Sequence, residues 1–450
     1  MTTPKITMVG AGGMSFGPTM VNDVIHTPEL AGARLVLHDI SAPRLARAHR
    51  LATKLNAASG APVVLDCSTD PAEALAGADF VISSAEVGRF RHWREDFEVP
   101  NRHGARQING ENGGPGAVFH SLRSIRTTLS ICASIEAHCP DAFLVNLSNP
   151  MSRVTLAISR GTGLAHVGMC HEGPIGVHRL GRLLRIHPRH IEARASGINH
   201  FTFFTELRDR RTDEDLLPRV RALFARKAFD YPPRTARAVR LAMRSVPLGA
   251  LADQLYAPVV AHVVRETGLV PCSVDSHIGE YLPGATDIGS YHPVPVDLFE
   301  RIDRSTERLA TWAADTRVPL PLHRIGHSLE EVVPIITALW TGTPRRVMAV
   351  NVANHGYLPN VADGAIVEVG ATVDADGIHP DVMAPVAEPI ASHIATQVAL
   401  QDLVVQAALS GDPARAYEAL RRDPASPDDD AACRAIFDEL VDLQADALPF

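Results

Sequence analysis

A glycine-rich turn directly after the first apolar segment constrains the fold of this chain more than any other feature. The segment KITMV has the composition of a buried parallel strand, and Gly10, Gly12 and Gly13 follow it before a helical segment begins near Pro18. A second apolar segment, RLVLHD, ends on the acidic residue Asp39. Glycines between a strand and a helix let backbone amides approach a pyrophosphate, whose charge the helix N-terminus favours. The order strand, glycine turn, helix, strand and terminal acid therefore predicts a dinucleotide-binding site.

The acid at the end of the second strand favours NAD over NADP. A carboxylate there accepts hydrogen bonds from the ribose hydroxyls and repels a 2′-phosphate. Ser15 stands where the usual fingerprint has its third glycine, and the glycine turn alone is also compatible with an ordinary structural turn. The expected cofactor contacts are Gly10, Gly12, Gly13, Met14, Ser15, Asp39, Arg44 and Asn149.

The pattern of elements predicts the fold class. The chain has 450 residues, more than one hydrophobic core ordinarily spans. Strands and helices alternate along its first part, which predicts a doubly wound parallel sheet of the Rossmann type. Beyond Gly197 the pattern changes to longer helices and short C-terminal strands. We therefore predict an α/β fold with a Rossmann-type NAD-binding domain over residues 1–196 and an α+β substrate and metal domain over residues 197–450.

Composition excludes several classes of partner and location. The net charge of −8 gives no basic surface for nucleic acid, and no apolar run approaches the ~20 residues that span a membrane. The six cysteines are scattered without the spacing of a disulfide framework. The N-terminal sequence lacks the charged and apolar regions of a signal peptide. We therefore expect a soluble cytoplasmic protein that binds neither nucleic acid nor a membrane.

Two candidate metal ligands, Cys170 and His200, lie on either side of the expected domain boundary. A thiolate and an imidazole both bind divalent transition metals. Two protein ligands would leave coordination positions open for substrate oxygens. Each residue is also compatible with a core position, since Cys170 follows an apolar run and His200 precedes FTFF. The spacing of Cys170 and His200 alone favours core packing over metal ligation.

Three further polar segments are candidate substrate contacts. Asn149 precedes a proline at the end of a strand, on the side where open sheets bind ligands. Asp275 and His277 lie in a dense polar segment, and Glu111 and Asn112 precede the segment GGPG. Each also has a structural explanation: a backbone cap at Asn149 and at Asp275, and a surface turn at Glu111 and Asn112.

Taken together, these segments resemble glycoside hydrolase family 4, the NAD- and manganese-dependent glycosidases with a lactate/malate dehydrogenase-like fold. The resemblance covers nearly the whole chain, and the order and spacing of its segments make it specific. Those segments are KITMVGAGGMSFGPTMVNDVIHTPELAGARLVLHDI, EDFEVPNRHG, ENGGPGAVFHSLRSI, CPDAFLVNLSNPMS, GMCHEG, GINHFTFF, DSHIGEYLP and VNVANHGYLPNVADGAIVEV.

The resemblance implies roles for individual residues. Cys170 and His200 match the family's metal ligands, and Asn149 matches an asparagine that contacts the sugar hydroxyls. Asp275 falls where the family places the base that removes the proton from sugar C2, with Tyr256 or Tyr281 as alternatives. The expected substrate contacts are Glu111, Asn112, Asn149, His171, Glu172, Arg91 and His277.

The resemblance also implies the reaction. NAD oxidises the C3 hydroxyl of the sugar, which acidifies the C2 hydrogen, while the metal holds O2 and O3. Proton removal at C2, elimination of the aglycone, addition of water and re-reduction at C3 then complete hydrolysis, and the cofactor ends unchanged.

Two sequence details bear on the substrate. The segment His171-Glu172-Gly173 after Cys170 resembles that of the α-glycosidase branch, and Glu172 favours gluco-configured α-glycosides. We assign His171 as a catalytic candidate as well as a substrate contact. The segment GRFRHWR carries several cations, including Arg91, that suit an anionic C6 group such as a uronate or a sulfonate. A solvated basic turn is the equally weighted alternative.

Two other functions remain open at this point. An NAD-dependent sugar or hydroxyacid dehydrogenase on the same scaffold would accumulate NADH, whereas the glycosidase would recycle it. A catalytically idle NAD-binding sensor is disfavoured because all the candidate polar positions are present together. For the glycosidase we expect a small-molecule glycoside as partner and a homodimer or homotetramer as the assembly.

Overall fold

The computed structural model describes residues 3–13, 17–60, 62–226, 257–288, 296–315, 317 and 327–450. Met14, Ser15 and Tyr256, for which cofactor contacts or a catalytic alternative are predicted, lie outside the described residues.

Six parallel strands form one half of the sheet. They run in the order β3-β2-β1-β4-β5-β6, which is the Rossmann order. Their bounds are β1 (Lys5–Val9), β2 (Arg34–His38), β3 (Val64–Ser68), β4 (Phe80–Ser83), β5 (Phe143–Asn146) and β6 (His166–Gly168). The α/β prediction with a Rossmann-type sheet is confirmed.

The other strands continue the same sheet in antiparallel pairs. Beyond β6 the order is β11-β12-β7-β8-β10, with β9 pairing with β8 and β13 with β12. The bounds are β7 (Ile191–Ile198), β8 (Phe201–Asp209), β9 (Glu214–Asp215), β10 (Val270–Pro271), β11 (Arg345–Ala353), β12 (Ile366–Asp374) and β13 (Gly377–Pro380). The expected boundary between residues 196 and 197 falls inside β7, so the sheet continues across it. The division into two domains stays a prediction.

Helices cover both faces of the sheet. Neighbouring strand residues face different cores: Ile82 packs in a core with helices α1, α2 and α12, whereas Val81 packs in a core with α5, α6, α13 and α15. The helices of the described residues are α1 (Gly17–Ile25), α2 (Ala42–Ala58), α3 (Pro71–Leu75), α4 (Arg89–Arg102), α5 (Pro115–His138), α6 (Met151–Gly161), α7 (Glu172–Leu184), α8 (Leu217–Arg226), α9 (Pro258–Thr267), α10 (Asp275–Ile278), α11 (Val296–Ala313), α12 (Val332–Thr341), α13 (Ile390–Ser410), α14 (Pro413–Arg422) and α15 (Asp430–Gln444). None of them is long and apolar enough to cross a membrane.

Candidate active site

The glycine turn lies against the carboxyl ends of three parallel strands. The amides of Gly10 and Ala11 both donate to the carbonyl of His38, at 3.0 Å. Gly10 has a φ of 82°, and a β-carbon there would lie 3.0 Å from backbone atoms of Ala85, just beyond β4. The turn therefore accepts no side chain at Gly10 and presents backbone at the edge where open sheets bind ligands.

Asp39 and Arg44 lie beside this turn. The amide of Gly12 donates to Asp39 Oδ2 at 2.9 Å, and a β-carbon on Gly12 would lie 2.6 Å from that oxygen and 2.7 Å from the Arg44 β-carbon. Asp39 Oδ1 accepts from the amide of Ser41 at 2.8 Å. A cradle that a single methyl group would fill, with a carboxylate at its rim, fits the pyrophosphate and ribose of a dinucleotide.

Asn149 occupies the expected place at the carboxyl end of the sheet. It follows β5, and its Oδ1 accepts from the amide of Met151 at 3.2 Å, at the start of α6. This bond is the backbone cap that the sequence offers as the structural explanation. Its contacts with a cofactor or a sugar stay predictions.

Three potential metal ligands, Glu172 of α7, His200 of the β7–β8 connection and His277 of α10, form a compact group that we call the metal-binding group. One potential ligand atom each from Glu172, His200 and His277 lies within 4.8 Å of the others. The two imidazoles stack with ring centres 4.0 Å apart and planes 9° from parallel. Glu172 Oε1 pairs with His277 Nδ1, while Glu172 Oε2 is buried with no hydrogen-bond donor among the described residues. Two histidines and a carboxylate are a ligand set typical of Mn²⁺ and Fe²⁺.

Burial and mutual charge shift the pKa values in this group. Burial lowers the pKa of His200 to about 4, so its imidazole is neutral at neutral pH. Burial alone would also lower the pKa of His277, but the charge and hydrogen bond of Glu172 raise it to about 9. Burial would raise the pKa of Glu172, but the charges of His277 and His200 lower it to about 2.

The backbone at His200 is strained. Asn199 and His200 form the two-residue connection between β7 and β8, where Ile198 pairs with Phe201. His200 has a φ of +65°, a left-handed conformation that L residues adopt at a cost of about 1–2 kcal/mol. Such outliers concentrate at functional sites.

The loop before α5 reaches this group through Asn112. Asn112 Nδ2 lies 3.0 Å from His200 Nδ1. The amides of Glu111 and Asn112 donate to the carboxylate of Glu280 at 2.8 and 3.1 Å. Burial, together with the charge of Glu111, raises the pKa of Glu280 to about 7. The structure thus brings Glu111, Asn112, Glu172, His200 and His277 together, and their contacts with substrate or metal stay predictions.

Cys170 lies outside the close group of ligand atoms found among the described residues. Its thiol is near enough to Glu172, Glu368 and Glu330 that burial and their charges raise its pKa well above the usual value. The side chain of Asn199 lies beside this thiol. Of the two predicted metal ligands, His200 belongs to the metal-binding group. Metal ligation by Cys170 stays a prediction.

Asp275 and His171 are both engaged with protein groups. The carboxylate of Asp275 accepts from the amides of Val259 and Val260 at 3.1 and 2.9 Å, so it caps α9, whereas its structural explanation predicts a cap on the helix that it begins. His171 Nδ1 lies 2.5 Å from Glu330 Oε1. Burial lowers the pKa of His171, but the hydrogen bond and charge of Glu330 outweigh it and raise the pKa. The catalytic roles of Asp275 and His171 stay predictions.

Arg91 faces outward from α4. Its side chain is 63% exposed, and it pairs with Glu95 at 3.2 Å and approaches the Leu443 carbonyl at 3.4 Å. These contacts favour the solvated alternative for Arg91. Arg89, two residues earlier, instead lines a pocket.

That pocket lies between the glycine turn and the loop before α5. Its lining includes Ala85, whose backbone contacts Gly10, and His120, whose Nδ1 lies 3.0 Å from the Glu111 carbonyl. The residues that line it are Ala85, Glu86, Val87, Arg89, His120, Arg123, Ser124 and Thr127.

No sequence signal points to Glu330, Glu280 is included only as part of a polar segment, and within GRFRHWR the prediction singles out Arg91 and not Arg89. Glu280 lies in the polar segment after Val274, so residue type offered a signal. Glu330 contacts His171 from 159 positions away, and no local pattern announces that contact.

Comparisons with known proteins identify the family of this chain. Residues 5–185 match the model of family 4 glycosyl hydrolases, and residues 195–426 match the model of the C-terminal domain of that family. An alpha-glucosidase from Erwinia rhapontici is 32% identical over 98% of this chain and 96% of its own, and an alpha-galactosidase from Bacillus subtilis is 27% identical over 93% of each. A 6-phospho-alpha-glucosidase from gut microorganisms, solved with NAD and Mn²⁺, has a TM-score of 0.81 and 22% identity over 100% of this chain and 99% of its own. This chain belongs to glycosyl hydrolase family 4.

Proposed function

We propose that this protein hydrolyses α-glycosides with NAD and a divalent metal, by oxidation at C3, elimination and water addition. The observation that carries the proposal is the close group formed by Glu172, His200 and His277. Its ligand atoms lie within 4.8 Å of one another, and Asn112 joins it to the loop before α5. Homology to an alpha-glucosidase supports the α-glycoside.

The residues present fit both groups. Bound NAD would supply reversible oxidation at C3, and a bound Mn²⁺ would supply a Lewis acid for the O2 and O3 oxygens. Gly10, Gly12 and Asp39 would hold the dinucleotide. Glu172, His200 and His277, with Cys170 as the family implies, would hold the metal.

The chain's own residues would orient the sugar and move its protons. Glu280 accepts from the amides of Glu111 and Asn112 and so fixes the backbone of this loop. The side chains of Glu111 and Asn112 would contact the sugar hydroxyls. Asp275 would take the C2 proton, and its two amide donors would hold the carboxylate in one orientation. His171, held by Glu330, would contact the substrate and assist proton transfer.

The pocket beside the glycine turn supports an anionic group at C6. Arg89, His120 and Arg123 line it together with one acid, Glu86. Glu86 pairs with Arg89 at 3.2 Å and with His120 at 3.6 Å, and Arg123 also pairs with buried Asp96. Arg89 and Arg123 are matched by Glu86 and Asp96. His120 adds positive charge, because burial lowers its pKa but the contact with Glu86 outweighs burial and raises it. We therefore propose a hexuronide or a sulfoquinovoside as substrate.

A substrate panel tests this choice. Nitrophenyl α- and β-glucosides, α-galactosides, hexuronides and sulfoquinovosides would be assayed with NAD and Mn²⁺. We expect the highest kcat/KM for an α-glycoside with an anionic C6 group. Arg89→Gln should lower that kcat/KM at least tenfold, and Arg91→Gln, which changes an exposed arginine of the same helix, should leave it unchanged. A preference for the neutral α-glucoside would reject the anionic substrate but not the reaction.

Deuterium exchange tests the reaction. Hydrolysis in deuterated water should leave deuterium at C2 of the released sugar without net formation of NADH. Stoichiometric NADH without aglycone release would identify a dehydrogenase instead. Asp275→Asn should bind NAD and metal but not release the aglycone, and C2 exchange that persists in this variant would reject Asp275 as the base.

A further inference from the structure

A buried carboxylate outside the metal-binding group connects the segments that carry its predicted ligands. Glu368 lies on β12, between Asn351 of β11 and Gly197 of β7 in the strand register, and is 2% exposed. Its Oε1 accepts from Asn199 Nδ2 at 3.2 Å and from Asn351 Nδ2 at 3.1 Å, and its Oε2 accepts from the Thr202 hydroxyl. One side chain thus ties together the ends of three neighbouring strands.

The partners of Glu368 lie on both sides of His200. Asn199 precedes this histidine in the two-residue connection, and Thr202 follows it by two positions on β8. Because His200 has a left-handed φ of +65°, its conformation depends on the residues that hold the connection from both ends. Glu368 is the acceptor shared by these two ends.

The same network extends to Cys170. Asn199, which donates to Glu368, also lies beside the Cys170 thiol. Asn351 Nδ2 lies 3.4 Å from the carbonyl of Gly168, the last residue of the strand that leads to Cys170. Both segments that carry predicted metal ligands are therefore held to one carboxylate.

A residue that only fills the hydrophobic core does not need a carboxylate, as Glu368 has. Burying a charge costs several kcal/mol, and a well-packed apolar side chain of similar volume is often as stable or more stable. Outer hydrogen-bonding groups that orient metal ligands give a functional reason for this arrangement. Glu368 does not belong to the close group of ligand atoms found in the described part of the chain.

We propose that Glu368 is a positioning residue that holds His200 and the Cys170 segment in the geometry that binds the divalent metal. This inference rests on the proposed metal-dependent function. It assigns to Glu368 neither metal ligation nor contact with the sugar.

Metal affinity measured without substrate tests this role. Free Mn²⁺ would be followed by electron paramagnetic resonance during titration of the protein, with thermal unfolding of the metal-free protein as the check on folding. Glu368→Gln keeps the size of the side chain but turns an amide donor toward Thr202 or toward the two asparagines. We expect Mn²⁺ to bind about 10- to 100-fold more weakly. The control Asp209→Asn alters another carboxylate, 3% exposed at the far end of β8, and should keep wild-type affinity.

A second pair of variants keeps the test decisive if Glu368→Gln folds poorly. Thr202→Ser retains the hydroxyl that donates to Glu368 and should keep wild-type affinity, whereas the isosteric Thr202→Val should weaken binding. Wild-type Mn²⁺ affinity in folded Glu368→Gln, or in Thr202→Val if Glu368→Gln does not fold, overturns the inference and leaves the proposed function intact. Absence of Mn²⁺ binding by the wild-type protein would reject the metal-dependent function and this role with it.

Discussion

The glycine at position 12 allows a direct test of the cofactor site. A β-carbon there would lie 2.6 Å from Asp39 Oδ2, whereas ordinary van der Waals contact begins at 3.4 Å, so Gly12→Ala must displace this carboxylate by about 0.8 Å. The displacement breaks the 2.9 Å hydrogen bond from the Gly12 amide. It also moves the carboxylate away from the ribose hydroxyls that we expect it to bind.

The expected loss follows from those ribose hydrogen bonds. Each hydrogen bond to a charged group contributes about 1.5–3 kcal/mol, and each 1.4 kcal/mol is about tenfold in affinity. We therefore expect Gly12→Ala to bind NADH about 10- to 100-fold more weakly in a fluorescence titration. Gly163→Ala is the control, since a β-carbon at Gly163 meets nothing within 4 Å. Wild-type NADH affinity in Gly12→Ala would refute the placement of the dinucleotide.

Two further predictions concern the cofactor and stability. Asp39→Ala should weaken NAD binding and reduce the discrimination against NADP, because it removes the ribose acceptor and the repulsion of a 2′-phosphate. Parallel titrations with NADH and NADPH measure this, and unchanged selectivity would contradict it. Burial raises the pKa of Glu331 from 4.5 to about 7, so the folded state retains a proton that the unfolded state has lost. Glu331 should therefore contribute a fall of about 3 kcal/mol in the free energy of unfolding as pH rises through this window. Glu331→Gln should remove that part of the fall in urea unfolding curves from pH 4 to pH 8, while Glu280, whose pKa is also raised to about 7, keeps its own contribution.

Local sequence patterns are sufficient to predict the strand order of the Rossmann half of the fold, but not the strand pairing in the other half. Each parallel strand there is an apolar segment beside a helical one, and successive strands lie near each other. The antiparallel strands β11 and β12 instead lie between β6 and β7, although the pair Asn351 and Gly168 is separated by 183 positions. Tertiary packing sets such pairing, and no short sequence pattern encodes it.

The same limit applies to side chains at the site. The family resemblance placed Glu111, Asn112, Glu172, His200 and His277 among the expected site residues, whereas Glu280, Glu330 and Glu368 contact partners far along the chain. Arg89 and Arg91 show a second limit. Residues two apart on a helix face different sides, so one lines the pocket and the other is exposed. Choosing between them from sequence requires knowing which face of α4 is covered.

The metal-binding group contains two arrangements that are unfavourable without a cation. The left-handed φ of +65° at His200 costs about 1–2 kcal/mol. The buried Glu172 oxygen that finds no donor among the described residues costs about 1–3 kcal/mol. A bound divalent cation would compensate for both. By mass action, Mn²⁺ at 100 times its Kd should stabilise the folded protein by about 2.7 kcal/mol and raise its Tm.

Glu172→Gln should lose this stabilisation, and an equal rise in Tm in that variant would refute the assignment. Cys170→Ser should reduce it, since a cysteine binds metal as a thiolate whereas a serine hydroxyl stays protonated. A wild-type rise in Tm there would assign the ion to the Glu172, His200 and His277 group alone.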